Sequence, residues 1–268
     1  MPRLFRPILG FYRLAVTLLV LLMGMLVILV TSIFPVRIRR VRLAAWVVTG
    51  MVRIFVALFN IKIETENPWR MVRHYGFIFP NHCSALDIIT VCYFVPARFL
   101  AAIEVRRRPL IGWTAQAIGT VFVERENRAS RAGARTALAR SFRMDKRPPI
   151  VLYPEGRLGP GDHVYPFRKG SFQVAIEEHI PILPIAVVYD PLETVIWRGG
   201  QGETLMASLW RMACFPGPIR IKLITFPTLY PKPGDDAARM ASETEDQIAQ
   251  ALEQEYKILR AKHIAAKG

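Results

Sequence analysis

The sequence predicts an α/β fold, a mostly parallel sheet flanked by helices, with an N-terminal membrane-anchoring helix pair. Three observations predict it. From residue 61 onward short apolar runs alternate with helix-patterned segments. Near the N-terminus, 14–36 forms a run of 23 residues without a charge. The composition is 52% hydrophobic with a mean hydropathy of +0.24, and the excess lies in the first 60 residues.

The run 14–36 is long enough for a helix to cross about 30 Å of hydrocarbon. It is too long for a signal peptide, and no small-x-small cleavage site follows it. Next comes Arg37-Ile38-Arg39-Arg40-Val41-Arg42, a basic cluster suited to phospholipid headgroups. A second apolar stretch, 43–59, is short and broken by Arg53. It is expected to lie in the interface with Arg53 snorkelling; a buried core helix is the alternative. Arg3, Arg6 and Arg13 precede the first helix and four Arg follow it, so the charge balance leaves a span and a re-entrant hairpin both open. The expected organisation is an anchor over 1–60, then one domain over 61–268 ending in a surface helix.

Strands are predicted at 61–64, 76–79, 98–103, 120–123, 150–153, 183–188 and 220–226, where short apolar runs meet turn residues. Helices are predicted at 85–94, 109–118, 128–142, 170–178, 204–213 and 236–261. The last follows Pro231 and Pro233, is acidic in its first half and ends with Lys257, Arg260, Lys262 and Lys267, the polarity a helix dipole favours.

The formal net charge is +15 and the sequence pI about 10.3, which draws a chain to polyanions. There is no RNP-type aromatic motif, no Cys/His finger and no Gly-rich Walker loop, so an anionic membrane fits better than nucleic acid. Cys83, Cys92 and Cys214 form no CxxC pair; they read as free thiols in a reducing compartment, with no structural metal site.

Candidate chemistry begins at Asn81-His82-Cys83-Ser84-Ala85-Leu86-Asp87, directly after a predicted strand. A His with an Asp five residues on is a general base with its orienting carboxylate. On one helix such residues sit about 140° apart, so they meet only with His82 in the turn and Asp87 on the first helical turn. The ends of parallel strands are where α/β folds place their sites. Two further strand ends deliver Glu124-Arg125 and Tyr153-Pro154-Glu155-Gly156-Arg157, followed by Pro166-Phe167-Arg168-Lys169-Gly170 and then Pro181 and Pro184.

In this order the four segments resemble the glycerolipid acyltransferases of the lysophosphatidic acid acyltransferase family. The family's His-four residues-Asp block falls on His82 and Asp87. Its second block falls on Gly119, Phe122, Glu124 and Arg125, its Pro-Glu-Gly block on Pro154, Glu155 and Gly156, and its late Pro block on Pro181 and Pro184. The family's usual Thr after Gly156 is here Arg157, and Leu158 follows. The segments Trp197-Arg198-Gly199-Gly200 and Leu209-Trp210-Arg211 resemble a branch some of whose members acylate lyso-ornithine lipid.

The resemblance implies transfer of a fatty acyl group from acyl-CoA or acyl carrier protein, with no other cofactor, to the sn-2 hydroxyl of lysophosphatidic acid. Another lyso-lipid is the alternative acceptor. It implies His82 as base, Asp87 as its partner, and Arg125, Glu155, Gly156 and Arg157 at the acceptor. It places the enzyme at a membrane, with a bacterial inner membrane and a cytoplasmic catalytic domain expected. Backbone N–H groups at the helix start after His82 are candidate oxyanion donors. Three rivals use the same residues: a Cys83–His82 acyl-enzyme, a metal hydrolase built on His82, Asp87, Glu155 and His163, and a non-catalytic membrane scaffold.

Overall fold

A computed structural model describes residues 5–33, 36–124 and 128–266. The chain opens with helix α1 (Phe5–Ile33), then a two-strand hairpin of β1 (Arg37–Ile38) and β2 (Val41–Arg42), then α2 (Leu43–Leu58). Arg39 and Arg40 turn the hairpin with φ of 51° and 66°, the left-handed pair that suits a two-residue turn. Next come β3 (Ile61–Thr65), α3 (Pro68–Arg73), β4 (Phe77–Pro80), α4 (Asp87–Phe94), β5 (Arg98–Ala102), α5 (Ile103–Arg106), α6 (Ile111–Ala117) and β6 (Val121–Val123). The rest is α7 (Arg128–Met144), β7 (Ile150–Val151), α8 (Gly170–Glu177), β8 (Ile182–Asp190), α9 (Leu192–Val195), α10 (Leu205–Ala213), β9 (Ile219–Thr225) and α11 (Ala237–Ala265).

Strands β3 to β9 form one sheet in the order β3-β9-β8-β4-β7-β5-β6, parallel at every pairing except β8 with β9. This is the predicted mostly parallel sheet with helices on both faces. β8 shows why it needs two helical layers. Leu183, Ile185, Val187 and Tyr189 enter one buried cluster, while Ile182, Ala186 and Val188 enter the other. Alternate residues point to opposite faces, so a strand covered on both sides is apolar throughout. The first cluster includes α2, α4 and α10; the second includes α7, α8 and α11.

All seven predicted strands and six predicted helices are present, with ends shifted by a few residues. The sequence reading missed the hairpin, α3, α5 and α9, each too short to show a period. For α3 the Asn67-Pro68 step was a legible start, since proline suits the first helical position.

Helix α1 is the one described helix long and apolar enough to cross a membrane, by length and composition. It begins before the uncharged run and includes Arg6 and Arg13. Arg13 is buried, so it is no interfacial charge. Its guanidinium donates to the carbonyls of Leu58, Ala213 and Phe215 (3.0, 3.1 and 2.6 Å). Those carbonyls lie at the ends of α2 and α10, where helices carry unpaired acceptors and a cation is favoured. Gly10 and Gly24 allow the close approach. A Cβ at Gly10 would lie 2.6 Å from Cys214 Sγ, and one at Gly24 2.2 Å from Met51 Sδ.

One face of α2 is buried, and the other, with Arg53 and Ile54, is exposed. Val52 and Val56 join the same cluster as Ile61 of β3 and Val91 of α4. Arg53 does not snorkel freely, because its Nε donates to the Tyr93 carbonyl (3.2 Å).

Candidate active site

β4 ends at Pro80, and the connection to α4 begins with a side chain that imitates backbone. Asn81 is 1% exposed. Its Oδ1 accepts from the Val187 N–H (2.7 Å) and its Nδ2 donates to the Val187 carbonyl (3.1 Å). The amide thus adds one more rung between β4 and β8. Both of its polar ends are matched, which avoids the penalty of about 1–3 kcal/mol for each buried group left unpaired.

The next residue is His82. Its backbone N–H donates to Glu155 Oε1 (2.7 Å), and its carbonyl accepts from the Gly159 N–H (2.6 Å). The ring lies flat on Tyr153, with centroids 3.9 Å apart and planes 17° apart. Its Nδ1 is 2.6 Å from Asp87 Oδ2. A carboxylate accepts, so the proton sits on Nδ1 and Nε2 is left as the basic nitrogen. The side chain keeps 21% exposure, so this nitrogen has access to a substrate.

Asp87 is the first residue of α4 and fully buried. Besides His82, its Oδ2 accepts from the N–H groups of Cys83 (2.8 Å) and Ser84 (2.9 Å). Its Oδ1 accepts from the Tyr189 hydroxyl (2.5 Å). Four donors converge on two oxygens. These contacts narrow the expectation that N–H groups at this helix start bind an oxyanion. Those of His82, Cys83 and Ser84 are engaged by Glu155 and Asp87.

The other predicted site residues divide. Glu155 is 2% exposed, and its Oε2 accepts from the Tyr165 N–H (2.9 Å). Burial pushes its pKa up, against the lowering effect of those two N–H contacts. Both oxygens thus hold backbone, so Glu155 positions His82 and the loop at 156–165. It was expected at the acceptor, and its two oxygens face backbone N–H groups instead. Gly156 has φ +69°, and a Cβ there would lie 2.7 Å from the Arg168 guanidinium carbon. The glycine thus seats Arg168 against the turn. Arg157 is exposed and lies over the Tyr165 ring, 3.8 Å from its centroid. Glu124 is exposed beyond β6. Arg125 lies outside the described residues.

Cys83 is buried, packed where a Cβ at Gly161 would meet its Sγ at 3.3 Å. Burial pushes its thiol pKa well up, with the nearby carboxylates adding to it, so the thiolate needed for an acyl-enzyme is disfavoured. The proposed metal set also fails on geometry. The oxygens of Asp87 and Glu155 are occupied by donors, while His163 is exposed and pairs with Asp162 (2.9 Å).

Sequence reasoning missed Tyr189, whose partner is 102 residues away. It missed the backbone work of Asn81 and gave Arg168, though within a quoted segment, no role. It also gave the segment after β8 no contact with the site. There Trp197 N–H donates to the Cys83 carbonyl (2.9 Å), and the Ser84 hydroxyl donates to the Val195 carbonyl (2.8 Å).

A histidine–aspartate pair thus stands at the carboxyl ends of a mostly parallel sheet, with a long apolar helix ahead of it. Residues 61–188 match the Acyltransferase family. The chain is 30% identical over 171 residues to the lyso-ornithine lipid O-acyltransferase of Rhodobacter capsulatus, covering 60% of each chain. It is 28% identical over 152 residues to the 1-acyl-sn-glycerol-3-phosphate acyltransferase of Haemophilus influenzae, covering 54% of this chain and 62% of that one. The chain thus spans about 60% of the length of these curated relatives. The fold is similar to the crystal structure of the 1-acyl-sn-glycerophosphate (LPA) acyltransferase, PlsC, from Thermotoga maritima. The TM-score is 0.72 at 19% identity, over 94% of this chain and 97% of that one.

Proposed function

We propose that the protein transfers a fatty acyl group from a thioester, acyl-CoA or acyl carrier protein, to the hydroxyl of a lyso-lipid at the membrane. The observation that carries this is the His82–Asp87 pair, with Nδ1 held by a buried carboxylate and Nε2 open. Nε2 takes the proton of the acceptor hydroxyl as its oxygen attacks the thioester carbonyl. Asp87 stabilises the imidazolium that forms, and the proton then passes to the departing thiolate. General base catalysis of this kind contributes about 10²–10⁴-fold. The acyl group moves directly to the acceptor, so no protein nucleophile or metal enters the step.

The acceptor we favour is lysophosphatidic acid, acylated at its free sn-2 hydroxyl to give phosphatidic acid for phospholipid synthesis. Arg157 and Arg168 support this reading. Their guanidinium groups flank the Pro154–Gly156 turn beside the pair, and both are exposed. A guanidinium fork matches phosphate oxygens two at a time. Arg125 would add a third cation. The second reading, transfer to lyso-ornithine lipid, is favoured by the Rhodobacter capsulatus relative's name and by the resemblance of Trp197-Arg198-Gly199-Gly200 and Leu209-Trp210-Arg211 to that branch. Helix α1 and the Arg37–Arg42 hairpin would hold the enzyme on its membrane, placed here as a bacterial inner membrane with the site on the cytoplasmic side. Its partners would then be membrane lipids and the acyl donor.

The test is acyl transfer in vitro with both donors and a panel of lysophosphatidic acid, other lysophospholipids and lyso-ornithine lipid. Transfer to lysophosphatidic acid that His82→Ala abolishes is the expected result. Transfer to lyso-ornithine lipid alone replaces the acceptor and keeps the mechanism. Hydrolysis or transfer that survives His82→Ala sinks the mechanism.

A further inference from the structure

The sheet has a second polar cavity at its other edge. His82, Glu124 and Tyr153 follow the carboxyl ends of β4, β6 and β7. Arg98 begins β5, and Thr120 immediately precedes β6, at the opposite edge. There a cavity of about 320 Å³ opens between the β1–β2 hairpin, the start of α2 and helix α7. Its charged lining is Arg37, Arg42, Arg98, Arg140 and Asp145.

The charges do not balance. Asp145 is the one acid, and its Oδ2 is taken by Arg37 (2.9 Å). Arg98 is 6% exposed and uses its donors on the carbonyls of Pro148 (3.1 Å), Ser141 (3.3 Å) and Asp145 (2.5 Å), plus the Ser141 hydroxyl (3.1 Å). These contacts hold its position and leave its charge uncompensated. Burial lowers its pKa to about 10; Asp145 opposes the shift and neighbouring Arg42 adds to it. Arg42 and Arg140 make no side-chain hydrogen bond or ion pair among the described residues. Thr120 also lines the cavity, and its hydroxyl is buried beside it without a hydrogen-bond partner. Four arginines against one acid around a single cavity favour an anion with several acceptor oxygens.

We propose that this cavity binds a phosphate group, contacted by Arg42, Arg140 and the Thr120 hydroxyl, and that the group belongs to an anionic lipid of the membrane. The position argues for a lipid source. Arg37 and Arg42 belong to the hairpin that directly joins the apolar helix α1 to α2. A headgroup seated there would fix the edge of the enzyme opposite its active site. The proposal does not depend on the acyl-transfer reading, because it is tested by binding alone.

The full chain in uncharged detergent is titrated with inorganic phosphate. In parallel, its binding to phosphatidylcholine vesicles is measured with and without about one-fifth phosphatidylglycerol. Arg140→Gln is expected to weaken both interactions about tenfold. Thr120→Val, which removes no charge, is expected to weaken both about threefold. Lys257→Gln, an equal charge loss on α11, should change neither by more than about twofold. Weaker phosphate binding with unchanged vesicle binding keeps the pocket and overturns the lipid source. Wild-type behaviour of both probes in Arg140→Gln and Thr120→Val, with unchanged melting temperatures, overturns the proposal.

Discussion

Strand β4 has a histidine just beyond each end, and the two behave oppositely. His74 precedes the strand, is 6% exposed, and donates from Nε2 to the Phe77 carbonyl (2.8 Å). Burial lowers its pKa to about 4, so it stays neutral at ordinary pH. His82 follows the strand, meets a buried carboxylate through one nitrogen and opens the other to solvent. The residue type and the strand are the same. What separates a structural from a working histidine is the charge of its partner and the accessibility of its second nitrogen.

Five substitutions probe that contrast, in order of decreasing effect on turnover. His82→Ala should lower turnover by about 10²–10⁴-fold while the melting temperature holds. A variant that keeps wild-type turnover would erase the distinction between the two histidines. Asp87→Asn places an amide NH₂ among four donors. Turnover should fall about 10²-fold, with about 1–3 kcal/mol of stability lost in urea unfolding. Tyr189→Phe removes one of those donors. About a threefold to tenfold loss is expected, with an altered pH–rate profile, because the carboxylate's hold on the imidazole changes. Cys83→Ala should stay within about twofold in turnover and cost about 1 kcal/mol of packing. Complete inactivity there would revive an acyl-enzyme.

His74→Gln should leave turnover unchanged and alter only the response to acid. With a folded pKa of about 4 against 6.5 when unfolded, the unfolded chain binds the extra proton between those values. Stability therefore rises with pH across that window, by on the order of 3 kcal/mol from this group. Urea midpoints measured from pH 4 to 6.5 should show a shallower slope in the variant. An unchanged slope would mean that His74 is not the buried neutral group described.

The sheet was legible in the sequence because strands covered on both faces are continuous apolar runs; β8 and β4 announced themselves in this way. The His82–Asp87 spacing was legible because both residues belong to one strand-to-helix connection. Tyr189 was not, since its contact with Asp87 depends on β8 lying beside β4, an adjacency that no local pattern encodes. The role of Glu155 was misread for a related reason. A carboxylate in a site suggests substrate, whereas here it satisfies two loop N–H groups that only the folded loop brings to it. Arg13 was counted as a membrane-facing charge because sequence shows the charge but not the three carbonyls that receive it.

That arginine has a consequence for how α1 is joined to the active site. Its guanidinium ties α1 to the ends of α2 and α10, and α10 follows the segment whose Trp197 N–H holds the Cys83 carbonyl beside His82. A force on the anchor therefore reaches the wall of the active site through a short chain of hydrogen bonds. Removing the helix would strip three acceptors of their donor and open the seat of Gly10 against Trp210. The apolar helix is in this sense built into the body of the fold and supports the wall of the site.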